Sequence, residues 1–409
     1  MPAMHVRLGA FSAALALAAV LSTTAFAQKK YDTGASDGEI KIGNIMPYSG
    51  PASAYGVIGK TEEAYFRKIN AEGGINGRKI NFISYDDAYS PPKTVEQARK
   101  LVESDEVLLI FNSLGTPPNS AIQKYMNSKK VPQLFVATGA TKWNDPKEFP
   151  WTMGWQPNYQ SETIIYAKYI LKNKPDAKIA VLYQNDDYGK DYLKGFKDGL
   201  GAKAASMIVI EDSYEVSEPT IDSHIVRLKA SGADVFMNIT TPKFAAQAIK
   251  KNGELGWKPL HFLNNVSGSI GSVIKPAGFE NAQGIISSQY FKDPTDAQWK
   301  TDPAMIAWNE FLDKYYPEAN RADASVMYAY IVSQGLVHVL KACGDNLTRE
   351  NIMKQAANIR DYEPAGLLPG IKVNTSASDF APISQVQLIR FKGEHWERFG
   401  DILSGDVGG

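Results

Sequence analysis

Cysteine is almost missing: Cys343 is the only one in 409 residues. One thiol excludes an intramolecular disulfide, and a chain this long can build a core without one. Cys343 reads as a small buried hydrophobe at a helix end. An excess of either charge is also missing, with 44 basic and 44 acidic side chains. That balance supplies no broad basic field, which argues against a nucleic-acid partner. A long apolar run is lacking too. Ala10 to Leu21 is apolar but gives way to Ser22-Thr23-Thr24, short of the roughly 20 residues a membrane-spanning helix needs. His5 and Arg7 precede that stretch and Ala25-Phe26-Ala27 follows it. Residues 1–27 therefore read as a signal peptide cleaved before Gln28. No cysteine follows for lipid attachment, so the mature chain is expected to be exported and soluble.

Motifs of common catalysis are absent. The sequence contains no HExxH, CxxC, Walker A or G-x-G-x-x-G pattern, and no G-x-S-x-G elbow between a strand and a helix: Gly34 to Gly38 spells those letters but lies in the polar leader before the first strand. His224, His261, His338 and His395 stand apart from one another, and no metal or cofactor is expected. Gln184 to Gly189 has the acidic look of a calcium loop but lacks the alternating ligands and closing glutamate. Asp86-Asp87 ends a strand and reads as a solvated edge. The expectation is a protein that is not an enzyme.

What is present is a repeated α/β theme. The mature chain exceeds the usual size of one core, so two domains are expected. Ile40–Met46, Ile80–Tyr85, Val107–Phe111 and Gln133–Val136 read as short apolar strands. Amphipathic helices such as Pro91–Glu103 and Pro117–Ser128 separate them. This is the pattern of a parallel sheet covered on both faces. After a turn-rich, aromatic stretch over 145–157 the theme restarts, with strands at Lys178–Tyr183, Ala205–Ile210, Asp234–Ile239 and His261–Leu263. Beyond residue 284 the pattern loosens, with a long helix over Ala324–Ala342 and a late strand at Val386–Phe391.

In an open α/β sheet, ligands sit beyond the carboxyl ends of the strands. The loop Asn112-Ser113-Leu114-Gly115-Thr116-Pro117 follows one strand, and Ala137-Thr138-Gly139 follows another. Thr116 as a cap with Pro117 behind it, and Gly115 permitting close backbone approach, suit an anion at a helix start. Thr240-Thr241-Pro242 repeats the arrangement in the second half. Tyr48, Tyr55, Trp155, Tyr159 and Tyr188 lie in or near such loops and are candidates to wall an apolar ligand.

A family resemblance rests on several segments together. They are Ile40-Lys-Ile-Gly43, Ser49-Gly-Pro51 with Tyr55-Gly56, Asn70-Ala-Glu-Gly-Gly-Ile-Asn-Gly77, Tyr85-Asp86-Asp87, Ala167-Lys-Tyr-Ile170 and Tyr188-Gly189. From about residue 38 to about 340 the chain resembles the Leu/Ile/Val-binding proteins of ABC importers, the type I periplasmic binding proteins. The resemblance implies an α/β fold of two doubly wound lobes joined by three crossovers, with a ligand cleft between. Lobe 1 would comprise 38–156 and 286–360, and lobe 2 would comprise 157–285 and 361–409. It implies a periplasmic, monomeric chain that passes a small-molecule ligand to ABC permease subunits in the inner membrane.

The resemblance places the ligand-binding positions at Asn112, Ser113, Gly115 and Thr116, and at Ala137, Thr138 and Gly139. Tyr55 and Tyr188 match aromatic positions flanking the ligand. In the second lobe Thr240, Asn264 and Asn265 stand where the family's amino-acid binders carry a tyrosine and an acid. A buried ammonium without a counter-charge is costly. The expected ligand is therefore a small organic carboxylate lacking an α-ammonium, with an aromatic body as a candidate. Alternatives are an amino acid whose acid comes from Glu280 or Asp186-Asp187, and a sensory module for a small amide or urea.

Overall fold

The computed structural model describes residues 29–405 together with Met1, so the expected signal peptide lies outside the described residues. The first sheet uses five strands. After a short β1 (Lys30–Tyr31) come β2 (Glu39–Met46), β3 (Lys79–Asp86), β4 (Leu109–Phe111), β5 (Gln133–Val136) and β6 (Thr152–Gly154). Their order is β3-β2-β4-β5-β6, all parallel. Alternate residues serve opposite faces of the sheet. Leu109 and Phe111 join the larger core with Phe66 of helix Val57–Ala71, whereas Ile110 packs with Ala98, Ile122 and Met126 on the other side. Because both faces are covered, β4 is apolar at every position.

The second sheet is built from β7 (Ile179–Gln184), β8 (Ile208–Tyr214), β9 (Val235–Ile239), β10 (Leu260–Leu263) and β11 (Ile286–Gln289). After β12 (Asn346–Leu347), which pairs with β1, it is completed by β13 (Gln385–Lys392) and β14 (His395–Ser404). Its order is β14-β13-β11-β10-β9-β7-β8, and only β13 and β14 run antiparallel to their neighbours. The chain thus forms two doubly wound α/β lobes, as the sequence pattern predicts. It passes between them at 155–158, 290–302 and 357–384.

The third stretch of helices returns to the first lobe. Tyr65 of helix Val57–Ala71 meets Phe311 of helix Pro303–Tyr315 and Tyr330 of helix Ala324–Cys343, with ring centroids 5.7 and 5.4 Å apart. Ala324–Cys343 is long and apolar enough to cross a membrane, but most of it is buried inside the protein as a core helix.

Three expectations need correction. Ile286–Gln289 is β11 of the second sheet, hydrogen-bonded to β13, so the return to lobe 1 falls after it and not at 286. The strand expected at Ala205–Ile210 begins only at Ile208. Ala204–Met207 is a helical turn, in keeping with alanine's helix preference. The stretch over 145–157 holds a strand, β6, because its buried Met153 extends the first sheet beside β5.

Candidate functional site

The carboxyl ends of both sheets face one cleft. It holds about 650 Å³ of space free of protein atoms, counting its open mouth. The first lobe contributes Tyr89 after β3, Gly115 and Thr116 after β4, and Ala137 after β5. The second contributes Tyr188 after β7, Thr241 after β9, Asn265 after β10 and Tyr290 after β11. Tyr328 and Ser325 arrive on the returning helix Ala324–Cys343.

The lobes touch across this cleft. Tyr55 donates its hydroxyl to the Val266 carbonyl at 3.0 Å. Lys142 pairs with Asp187 at 3.1 Å, and Thr141 donates its N–H and hydroxyl to Asp191 at 2.9 and 3.0 Å. The arrangement is closed.

Aromatic rings dominate the wall. Tyr159 stacks on Tyr192, with centroids 4.1 Å apart, and meets Tyr188 edge-on at 5.5 Å. Burial pushes the phenols of Tyr55, Tyr89, Tyr159, Tyr188, Tyr290 and Tyr328 above their usual range, so all stay protonated. Tyr328 accepts from Asn112 Nδ2 at 2.9 Å and Tyr159 accepts from Gln156 Nε2 at 3.3 Å, which leaves each O–H able to donate. No Asp, Glu, Lys, Arg or His occurs among the described residues of the wall.

Of the sequence candidates, Tyr55, Gly115, Thr116, Ala137, Tyr159, Tyr188 and Asn265 line the cleft. Gly115 is needed there. Its φ is +100°, and a Cβ would come within 2.5 Å of the Tyr89 ring. Thr116 is the first helical residue rather than the cap, which is Gly115. With Pro117 and Pro118 next, Thr116 carries the only N–H among the first three residues of that helix.

The other candidates stand behind the wall. Asn112 and Ser113 are buried and tied inward, Asn112 to the Phe135 carbonyl and Tyr328, and Ser113 Oγ to Asn119 Oδ1 at 2.5 Å. Thr138 shares a 2.6 Å hydrogen bond with Thr116 and accepts from Trp143 Nε1. Thr138 and Gly139 line a separate, smaller cavity of about 240 Å³. Tyr48 is held by Ser84 at 2.6 Å on the far side of β2. Trp155 is wholly buried, packed on Phe135 and against Gly335. Thr240 donates to Asn238, and Asn264 donates to Tyr188 at 2.6 Å, so both brace the wall without forming it. These side chains had inward partners that a linear pattern does not display.

The carboxylates considered for an ammonium are engaged elsewhere. Asp186 caps the helix Asp187–Leu200, Asp187 pairs with Lys142, and Glu280 is exposed on the helix turn Phe279–Asn281. The sequence reading missed Tyr89, Tyr290 and Tyr328, while Thr241 of the Thr240-Thr241-Pro242 loop does line the cleft. The strand-end rule signals Tyr89 and Tyr290; Tyr328 has no local signal.

Comparison with known proteins places this architecture. A family model described as periplasmic binding protein matches residues 39–395. Leu/Ile/Val-binding protein homolog 1 of Brucella suis biovar 1 (strain 1330) is 27% identical over 326 residues, covering 78% of this chain and 82% of that protein. A branched chain amino acid ABC transporter structure from Thermus thermophilus with bound valine superposes with TM-score 0.80 at 17% identity, covering 90% of this chain and 97% of that one. A fatty acid ABC transporter substrate-binding protein from Thermomonospora curvata gives TM-score 0.74 at 21% identity, covering 88% and 90%. The match over most of its length, on two lobes closed around a cleft, shows that this chain belongs to the periplasmic binding protein family.

Proposed function

We propose that this protein is an exported, monomeric, non-enzymatic receptor that carries a small organic carboxylate lacking an α-ammonium, with an aromatic body, to an ABC permease in the inner membrane. The observation that carries the ligand reading is the cleft wall itself, rich in tyrosine and without an acidic side chain. A buried ammonium would stand there uncompensated, at a cost of several kcal/mol as an order of magnitude. A carboxylate finds the Thr116 N–H at a helix start and the protonated Tyr159 and Tyr328 hydroxyls. The rings of Tyr55, Tyr89 and Tyr188 offer faces and edges to an apolar body. The Thermomonospora neighbour, described as a fatty acid binder, supports an ammonium-free acid on this fold.

A branched-chain amino acid is the competing reading, favoured by the names of the Brucella and Thermus relatives. Calorimetry on ligand-stripped protein separates the two. Benzoate, 4-hydroxybenzoate and a branched 2-oxo acid are compared with phenylalanine, tyrosine and leucine. The proposal expects heat from an ammonium-free acid. Tight leucine binding with no response to any such acid would end it.

A further inference from the structure

Glu162 is a buried carboxyl that the cleft wall does not include. It lies on the helix Tyr159–Asn173, only 3% exposed. Three donors converge on it: the Asn265 backbone N–H at 2.6 Å, the Tyr166 hydroxyl at 2.7 Å and the Tyr192 hydroxyl at 2.9 Å. Two of these lead to the cleft. Asn265 lines it, with its side-chain amide donating to the Ser288 carbonyl at 2.8 Å. Tyr192 stacks on Tyr159, which also lines it. One carboxyl thus ties the strand-end loop after β10, the helix that carries Tyr192 and its own helix into a single surface. Burying a carboxyl only to join two helices would cost more than it returns unless its donors stay in place.

We propose that Glu162 is the positioning residue of the second-lobe wall, fixing Asn265 and Tyr159 in the orientation that receives the ligand. This rests on the cleft being the binding site, not on which acid occupies it. The titratable groups facing Glu162 are Tyr166 on its own helix, Tyr192 opposite, and Tyr159 and Tyr290 nearby; no Lys, Arg or His pairs with it among the described residues. Burial raises its carboxyl to about 7.

The first test needs no ligand. In nitrogen-15 spectra the Asn265 amide should titrate between pH 5 and 9 in the wild type and lose that titration in Glu162→Gln. The second uses calorimetry with 4-hydroxybenzoate and leucine, whichever binds. Glu162→Gln keeps an acceptor for Asn265 and should stay within about threefold of wild type, whereas Glu162→Ala should weaken binding roughly tenfold. Tyr192→Phe, which keeps the ring and drops the donor, should fall between them. A folded Glu162→Ala with wild-type affinity, or an Asn265 amide that titrates unchanged in Glu162→Gln, overturns the proposal. Failure of 4-hydroxybenzoate alone, with leucine bound and sensitive to Glu162→Ala, overturns the ligand reading and leaves this one supported.

Discussion

Asn265 joins the cleft wall to the packing behind it. Its side chain donates to the Ser288 carbonyl and its backbone to Glu162. Asn265→Asp would set a carboxylate against that carbonyl and beside a second carboxyl. Binding of 4-hydroxybenzoate should weaken roughly tenfold or more by calorimetry, because a new negative charge would oppose an anionic ligand in a dry cleft. A leucine receptor would instead gain affinity from the same change. Glu162 makes a separate prediction about stability. Its folded value, about 7, is above the usual 4.5, so the folded state holds its proton more tightly than the unfolded chain. The stability this contributes is complete below about pH 4.5 and is lost as pH rises through about 7. Glu162→Gln stays neutral throughout. Urea denaturation at pH 5 and pH 8 should therefore show the variant gaining on wild type as pH rises, by on the order of 3 kcal/mol. Asp87, Asp186 and Asp323 are also raised by burial, but they are common to both proteins and leave the difference unchanged.

At the scale of elements, the cleft depends on how closely two helices approach. Gly195 of Asp187–Leu200 faces helix Tyr159–Asn173, and a Cβ there would come within 2.3 Å of Gln160 Cα. Gly199 sits against Ile164 and Ala167 in the same seam. Gly195→Ala should push the helices apart, cost about 1–3 kcal/mol in thermal or urea denaturation, and disturb the Tyr159–Tyr192 stack. Loss of affinity in the folded fraction would accompany loss of stability; a stability change with unaltered affinity would show that the seam does not set the wall. The helices themselves were legible in the sequence. Apolar residues recur at helical spacing, and Asn158 and Asp186 cap their helices with side-chain bonds. The seam was not legible, since a glycine in a helix looks the same whether it meets a neighbour or solvent.

At the scale of the molecule, closure is held by contacts far apart in sequence. Asp191 accepts from the Thr141 N–H and hydroxyl and from Gln160 Nε2 at 2.7 Å, linking the lobes beside the Lys142–Asp187 pair. The exposed Lys142–Asp187 pair is worth little alone. Asp191 is deeper and carries more of the contact. Asp191→Ala should favour the open form, so solution scattering should give a larger radius of gyration without ligand and a smaller difference from wild type when ligand is saturating. Equal radii for the two ligand-free proteins would remove Asp191 from the closure contacts.

The sequence by itself determined the alternation of short apolar strands with amphipathic helices, and so the α/β class and its doubling. Both follow from local periodicity and chain length. It also determined which loops lie at strand ends, and therefore that Gly115, Thr116, Ala137 and Tyr188 were candidates; Asn265 was a candidate through the family resemblance. Only the tertiary structure decided which way each side chain turned. Trp155 and Tyr55 are both aromatic and both adjoin loops, yet Trp155 is buried against Gly335 of a helix 180 positions on while Tyr55 reaches Val266 across the cleft. Tyr328 reached the wall, and Glu162 came to lie behind it, only through chain crossings and helix pairings. Periodicity records whether a side chain leaves water, but not which partner it meets there, because that partner is supplied by a distant part of the chain.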